Sequence, residues 1–138
     1  MASENILARV MIVEDEFLIA ADLECAVEDA GCQSVGIASD TPEALALAEE
    51  TPDLALVDLN LSDGPTGVDI ARSLIARGIS VLFITGNPRL LSGGVPGAFG
   101  VVQKPCTADI VRRIVTYAME RRRSGHSAPA PEMVRAFA

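Results

Sequence analysis

The sequence has little positive charge. Its 19 acidic residues outnumber its 11 lysines and arginines, which leaves a formal net charge of -8. Nucleic acids and anionic membrane surfaces are polyanions that repel such a chain, so we expect neither as a partner. Proteins and metal cations remain as the expected partners.

Long apolar runs and a secretion signal are also missing. No stretch approaches the roughly 20 apolar residues of a membrane-spanning helix. The first residues, MASENILARV, have neither the basic start nor the apolar block of a signal peptide. We therefore expect a cytoplasmic location.

Cysteine is scarce. The three cysteines, Cys25, Cys32 and Cys106, are an odd number and include no CxxC pair. A disulfide framework needs paired cysteines and a zinc knuckle needs closely spaced ones, so neither is expected. These residues are interpreted as small buried hydrophobic side chains.

Apolar segments alternate with segments of helical periodicity. Hydrophobic residues make up 49% of the 138 residues, a size and composition that fit one globular domain. Five segments are rich in β-branched and other apolar residues and are predicted to be strands: Ala8–Val13, Gln33–Ala38, Asp53–Leu59, Ile79–Thr85 and Gly100–Lys104.

A helix is predicted after each strand. Gly31 and Gly78 can end the first and third helices, and Asp40 can cap the second. The segment GNPRLLSGGVPGAFG carries five glycines and two prolines, so the fourth helix is expected to be short and irregular, around Arg89 to Ser92. The fifth helix, TADIVRRIVTYAMERRR, ends in arginines that complement the helix dipole.

Strands that alternate with helices and are apolar enough for burial on both faces predict a doubly wound α/β fold with a five-stranded parallel sheet. We place this domain at residues 8–123 and an N-terminal tail at 1–7. Residues 124–138 are rich in proline, alanine and serine, so a flexible C-terminal tail is expected there.

Polar residues stand where four of the predicted strands end. Glu14 and Asp15 follow the first strand, Asp58 lies in the third, Thr85 ends the fourth and Lys104 ends the fifth. Ligands of such sheets bind beyond the carboxyl ends of the strands. Three carboxylates that meet there form a hard oxygen site suited to Mg²⁺, the one cofactor that we expect.

The same residues suit phosphoryl transfer. A carboxylate beside Mg²⁺, here Asp58, can act as a nucleophile toward phosphorus and form an aspartyl-phosphate. Lys104 and the Thr85 hydroxyl can neutralise charge on the phosphoryl oxygens. The backbone carbonyl of Asn60 is a candidate further metal ligand.

Residues 9 to 121 resemble the receiver domain of bacterial response regulators, through the segments VMIVEDE, LALVDLN, LFITG and VVQKP. The resemblance implies a CheY-like, flavodoxin-like (βα)5 fold in which Asp58 is the phosphorylated aspartate. Glu14 and Asp15 fall on the family's metal-binding acidic pair, Thr85 on its switch hydroxyl and Lys104 on its phosphate-contacting lysine. The bond between Lys104 and the following proline is then expected to be cis.

Two departures from the family pattern stand out. Ser62 lies where the family commonly carries proline, and Val101 lies where it usually carries tyrosine or phenylalanine. The aromatic switch of the family therefore cannot operate at position 101. With the irregular fourth helix, the chain resembles stand-alone receivers that work with histidine kinases of the HWE type.

The first hypothesis is a single-domain response regulator of two-component phosphorelay signalling. It accepts a phosphoryl group on Asp58 from a histidine kinase or histidine phosphotransferase, with Mg²⁺. It then signals to a downstream protein through the face formed by the fourth helix, fifth strand and fifth helix, called the α4-β5-α5 face in the family. We expect no enzyme activity beyond slow self-phosphorylation and autodephosphorylation. A homodimer is a possible assembly that the sequence does not decide.

Three alternatives remain. One is a receiver-like interaction module that is not phosphorylated and uses the acids for metal-dependent stability. Another is the receiver fragment of a longer regulator. A small Mg²⁺-dependent phosphatase is the weakest, because that chemistry needs a second acid two residues after the nucleophile, where this chain has Asn60.

Overall fold

The computed structural model describes residues 8–125 and 129–137. Its strands are β1 (Arg9–Val13), β2 (Gln33–Ala38), β3 (Leu54–Val57), β4 (Ser80–Thr85), β5 (Gly100–Gln103) and β6 (Val134–Ala136). Its helices are α1 (Phe17–Asp29), α2 (Thr41–Ala48), α3 (Gly67–Ala76) and α4 (Ala108–Ser124), with a 3₁₀ helix (Pro88–Leu91) between β4 and β5.

One sheet holds the strands in the order β2-β1-β3-β4-β5-β6. The first five strands are parallel, and β6 runs antiparallel to β5. The predicted α/β fold with its five parallel strands is confirmed. The strand order switches between β1 and β3, so the carboxyl ends of these neighbours mark the expected ligand site.

Both faces of the sheet are covered. Alternate strand residues point to the side of α2 and α3: Met11, Val13, Ala55, Val57, Val81 and Phe83. The residues between them point to the side of α1 and α4: Val10, Ile12, Leu54, Leu56, Leu82 and Ile84. Burial on both faces leaves the strand ends as the place where polar side chains can collect.

Local sequence signals explain several helix boundaries. Asp40 caps α2, because its Oδ1 accepts a hydrogen bond of 3.0 Å from the Glu43 backbone nitrogen. Thr107 caps α4 in the same way through the Ile110 nitrogen. Gly125, with a φ of 79°, ends α4 in the left-handed conformation that glycine adopts readily.

The predicted fourth helix is a single 3₁₀ turn, Pro88–Leu91, which confirms the expectation of a short and irregular element. Leu91 is buried on the α3 side of the sheet, together with Val95 and Ala98 from the loop that follows. The predicted fifth helix is α4.

The prediction of a flexible tail over residues 124–138 is wrong for residues 134–137. Val134–Ala136 form β6, and the side chains of Val134 and Phe137 are buried. The prediction rested on the proline, alanine and serine content of the segment. The apolar residues that follow them pair with the edge of β5 instead. The predicted N-terminal tail, residues 1–7, lies outside the described residues.

The arginines at the end of α4 make specific contacts beyond any complement to the helix dipole. Arg122 Nη1 donates hydrogen bonds to the carbonyl oxygens of Gly78 at 2.8 Å and Asp53 at 3.1 Å. These bonds hold α4 against the loops that precede β3 and β4. Among the described residues, no helix combines the length and apolar character needed to cross a membrane.

Candidate functional site

Three carboxylates meet at the carboxyl edge of the sheet. Glu14 and Asp15 follow β1, and Asp58 follows the adjacent β3. One oxygen from each side chain can be chosen such that all three lie within 4.8 Å of one another. The structure therefore brings together the three acids that the sequence predicted to meet.

The backbone holds two of these acids in place by extending the sheet. The Glu14 nitrogen donates to the Ala38 carbonyl at 2.9 Å, and the Asp58 nitrogen donates to the Val13 carbonyl at 2.9 Å. Asp58 Oδ1 also accepts a hydrogen bond of 2.8 Å from the Leu59 nitrogen. Glu14 is 3% exposed, whereas Asp58 is half-buried and Asp15 is exposed.

Lys104 supplies positive charge at this cluster. Its Nζ lies 2.6 Å from Glu14 Oε1 and 2.9 Å from Asp58 Oδ2. Its backbone nitrogen donates to the Thr85 carbonyl at 2.9 Å, which ties the end of β5 to β4. The Lys104–Pro105 peptide bond is cis, as the resemblance implied.

One ammonium shared between two carboxylates leaves the cluster short of positive charge. Burial raises the pKa of Glu14 above its usual range, and the hydrogen bond from Lys104 offsets this only in part. Burial alone would lower the pKa of Lys104, but the hydrogen bonds to Glu14 and Asp58 outweigh it and raise that pKa. The lysine is thus held protonated, while Glu14 would gain from a further cation.

Thr85 ends β4, between the ends of β3 and β5. Its side chain is buried, with 4% exposed. Its Oγ1 accepts a hydrogen bond of 3.2 Å from the Asn87 backbone nitrogen. The hydroxyl is therefore engaged with the loop that leads into the 3₁₀ helix.

Asn60 lies two residues beyond Asp58, in an exposed position of the loop between β3 and α3. This loop contains an isolated antiparallel bridge in which the Leu61 nitrogen donates to the Gly64 carbonyl at 2.9 Å and Gly64 donates back at 3.0 Å. The chain thus turns back on itself directly after the residue proposed as a carbonyl ligand.

Sequence reasoning did not identify Asp63 as an organiser of this loop. Asp63 Oδ2 accepts a hydrogen bond of 3.0 Å from the Thr41 nitrogen, and its Oδ1 accepts one of 2.7 Å from the Thr66 hydroxyl. These hydrogen bonds lower the pKa of Asp63 to about 2. A short polar residue in a loop was the only local signal, and it did not reveal the link to α2.

Gly67 is a second feature that sequence reasoning did not identify. A Cβ at this position would lie 2.2 Å from the Asp58 carbonyl oxygen and 2.7 Å from Leu59 Cα. Both are backbone atoms, so any side chain would push α3 away from the Asp58 loop. The sequence GPTG showed that glycines stand here, but not that a close approach needs one.

The response regulator receiver domain is the family whose model matches residues 10–116 of the chain. The phyllosphere-induced regulator PhyR of Methylorubrum extorquens is 35% identical over 133 residues, which cover 90% of this chain and 50% of that protein. The chain thus spans about half the length of this relative.

Solved structures of related proteins agree in fold. The anti-anti-sigma factor PhyR of Bartonella quintana gives a TM-score of 0.75 at 35% identity, over 88% of this chain and 51% of that one. The receiver domain of PhyR from Erythrobacter litoralis, solved by NMR, gives 0.73 at 31% identity, over 91% and 96%. Together with the family match, these likenesses show that the chain belongs to the family of response regulator receiver domains.

Proposed function

We propose that the chain accepts a phosphoryl group on Asp58 from a phosphohistidine of a histidine kinase or histidine phosphotransferase. Two-component phosphorelay signalling, aspartyl-phosphate and Mg²⁺ are typical of the family to which the chain belongs. The observation that carries the proposal is the cluster itself, in which Glu14, Asp15 and Asp58 lie together and Lys104 contacts two of them.

Asp58 is suited to be the acceptor. Its half-buried carboxylate is oriented by the Leu59 nitrogen at one oxygen and by Lys104 at the other. In the transfer, a carboxylate oxygen forms a bond to phosphorus while the phosphorus–nitrogen bond of the phosphohistidine breaks, and its electron pair stays on the imidazole. Because this reaction depends mainly on position and charge, a held carboxylate beside an ammonium favours it.

The acidic cluster fits Mg²⁺. Glu14, Asp15, Asp58 and the Asn60 carbonyl would hold the ion, and carboxylate and carbonyl oxygens are the ligands that it prefers. Burial raises the pKa of Glu14 despite the hydrogen bond from Lys104, and a bound cation would favour the charged form of this carboxylate, which supports the fit. When bound, Mg²⁺ neutralises negative charge on the phosphoryl oxygens.

Lys104 and Thr85 would respond to the new group. The Lys104 ammonium would exchange a carboxylate partner for a phosphoryl oxygen. The Thr85 hydroxyl, which now accepts from Asn87, would donate to another phosphoryl oxygen. The loop that follows β4 would then shift, and this shift takes the place of an aromatic switch at Val101.

Signalling would proceed through a protein partner, and the chain would work in the cytoplasm with a kinase of the HWE type. The α4-β5-α5 face of the family corresponds here to the 3₁₀ helix, β5 and α4, with β6 added at the edge. One relative is described as an anti-anti-sigma factor, so a protein that controls a sigma factor is a candidate partner. The chain spans about half of that relative, so the receiver part of a longer regulator is the alternative form of this proposal.

The test is the intact mass after incubation with Mg²⁺ and either acetyl phosphate or phosphoramidate. We expect the wild type to gain one phosphoryl group and Asp58→Asn to gain none. Glu16→Gln is the matched control, since it removes an exposed acid that follows Asp15 but lies outside the cluster, and it should gain the group like the wild type.

A non-phosphorylated interaction module is the second candidate. It would be favoured if neither donor added mass to the wild type and beryllofluoride, a mimic of the phosphoryl group, failed to bind with Mg²⁺. The related phosphatase has no support from the site, because Asn60 stands where a second acid would be required.

A further inference from the structure

The outer edge of β5 is covered by a segment of the chain itself. The pairs are Gly100 with Ala136, Val101 with Arg135 and Val102 with Val134. One hydrogen bond continues the pairing, from the Phe137 nitrogen to the Phe99 carbonyl at 2.9 Å. Without β6, β5 would be an edge strand with a row of unpaired backbone groups.

The Arg121 side chain of α4 binds this segment. Arg121 Nη1 donates to the Phe99 carbonyl at 2.9 Å, and its Nη2 donates to the Phe137 carbonyl at 3.0 Å. The guanidinium also lies 4.5 Å from the centre of the Phe99 ring. One arginine thus joins the chain entering β5 to the chain leaving β6.

The Phe137 side chain is buried in the cluster that also holds Val101, the position where the family usually carries an aromatic residue. It belongs to the buried cluster that contains Val101 and Leu91, and its ring centre lies 6.5 Å from that of Phe83 on β4. Val134 packs on the opposite side of the sheet, with the residues of α4. The segment is therefore anchored through both faces of the sheet.

Two hydrogen bonds connect this segment to the candidate site. Arg135 Nη2 donates to the Pro88 carbonyl, at the start of the 3₁₀ helix. The preceding residue, Asn87, donates its backbone nitrogen to the Thr85 hydroxyl at 3.2 Å. The Thr85 side chain and β6 are thus both hydrogen-bonded to the short loop that contains Asn87 and Pro88.

We propose that β6 is a releasable strap, which covers the edge of β5 while Asp58 is unmodified and opens when Asp58 carries a phosphoryl group. This inference rests on the proposed function for its trigger. When the Thr85 hydroxyl turns to the phosphoryl oxygen, Asn87 loses its hydrogen-bond acceptor, and the Pro88 carbonyl moves away from Arg135. The freed edge of β5 then offers its backbone groups to an extended segment of the downstream protein.

The strap is short, so it can open without unfolding the domain once its contacts with Arg121 and the Phe137 pocket are lost. It pairs over three residues, and Arg135 and Ala136 are exposed. Val134 and Phe137 bury apolar side chains, and Met133 is partly buried beside them. Short segments with few buried contacts open locally while the core of the protein stays folded.

Gly100 allows a variant that loosens the strap alone. A Cβ at Gly100 would lie 2.6 Å from the Arg135 carbonyl oxygen and 3.1 Å from Ala136 Cα, both in β6. Gly100→Ala should therefore displace β6 and spare β5. Gly93→Ala is the matched control, because nothing lies within 4 Å of the added methyl group.

The experiment is hydrogen exchange of the full chain, read by mass spectrometry on peptides covering residues 129–138, with and without beryllofluoride and Mg²⁺. We expect the mimic to accelerate exchange over 134–137 by roughly tenfold in the wild type and in Gly93→Ala. Gly100→Ala should exchange rapidly without the mimic. Asp58→Asn should not respond to it.

The outcomes separate this proposal from the proposed function. A mass gain with acetyl phosphate, together with unchanged exchange over 134–137, would overturn the strap and leave Asp58 as the phosphoacceptor. Slow exchange in Gly100→Ala, or a response that persists in Asp58→Asn, would overturn the strap as well. No mass gain and no effect of beryllofluoride would remove both the proposed function and the trigger.

Discussion

The Lys104 ammonium lies 2.6 Å from Glu14 Oε1, and the Glu14 side chain is only 2% exposed. A buried carboxylate that depends on one ammonium is costly to leave unpaired. The contact also spans 90 residues of sequence, so it fastens β5 to β1 across the two intervening strands.

Lys104→Met should lower the free energy of unfolding by about 3 kcal/mol at neutral pH without Mg²⁺, since it leaves Glu14 and Asp58 without their cation. Urea denaturation followed by circular dichroism measures this loss. Millimolar Mg²⁺ should restore part of it. Arg112→Met, which breaks the exposed pair with Asp109, should cost no more than about 1 kcal/mol. Equal losses in the two variants would contradict the argument.

Asp15→Asn should remove most of the Mg²⁺-dependent rise in Tm, because Asp15 is an exposed member of the acidic cluster whose loss costs the metal a ligand but costs the fold little. Thermal unfolding across a Mg²⁺ titration provides the measurement. Glu16→Gln is the control, since it removes a neighbouring exposed carboxylate outside the cluster. If both variants respond to Mg²⁺ like the wild type, Asp15 is not a ligand.

Gly67→Ala should destabilise the protein by about 1–3 kcal/mol, because the added methyl group collides with the backbone at Asp58. The same displacement should slow phosphorylation of Asp58. Urea unfolding and the rate of mass gain with acetyl phosphate test the two effects. Gly93→Ala again serves as the control. If Gly67→Ala unfolds and is phosphorylated like the wild type, the close approach of α3 to the Asp58 loop is not needed for stability or for phosphorylation.

Asp63 should make stability fall at low pH. Hydrogen bonds from Thr41 and Thr66 lower its pKa from the usual 3.8 to about 2, so its contribution is present above 3.8 and is lost as the pH falls through about 2. Urea midpoints of the wild type and Asp63→Asn should differ at neutral pH and converge in strong acid. A difference that grows on acidification would have the wrong sign.

Cysteine alkylation should be selective. Burial raises the pKa of Cys106 to about 11, which leaves little of the reactive thiolate near neutral pH. Cys25 is exposed. Iodoacetamide should therefore label Cys25 well before Cys106 in the folded protein, as peptide mass mapping can show. In urea the two rates should become similar, and a lasting difference there would point to a cause other than the fold.

The acids and the lysine could be predicted because each lies at the end of an apolar strand, and parallel strands bring their carboxyl ends to one edge. The cap at Asp40 and the short element at Pro88–Leu91 followed from local rules in the same way. The contact between Glu14 and Lys104 follows from the strand order alone.

Features that depend on contacts between distant segments were not predicted. The close approach of Gly67 to Asp58 and the bridge from Asp63 to α2 depend on how α3 packs. Arg121 was interpreted from its place in the last helical turn, yet it holds two carbonyls of other elements. The apolar residues of β6 were obscured by the composition around them, because their partner is the edge of β5.

The two edges of the sheet differ in how they resist association between molecules. At the β2 edge, the pairing with β1 shifts register between Val10 and Met11, and this irregularity breaks the regular ladder that a foreign strand would extend. At the other edge, β6 occupies the backbone of β5. Any state in which β6 detaches therefore exposes the apolar edge strand β5. This exposure makes β5 accessible to a partner but lowers the solubility of the protein. At high protein concentration, aggregation limits the lifetime of such a state.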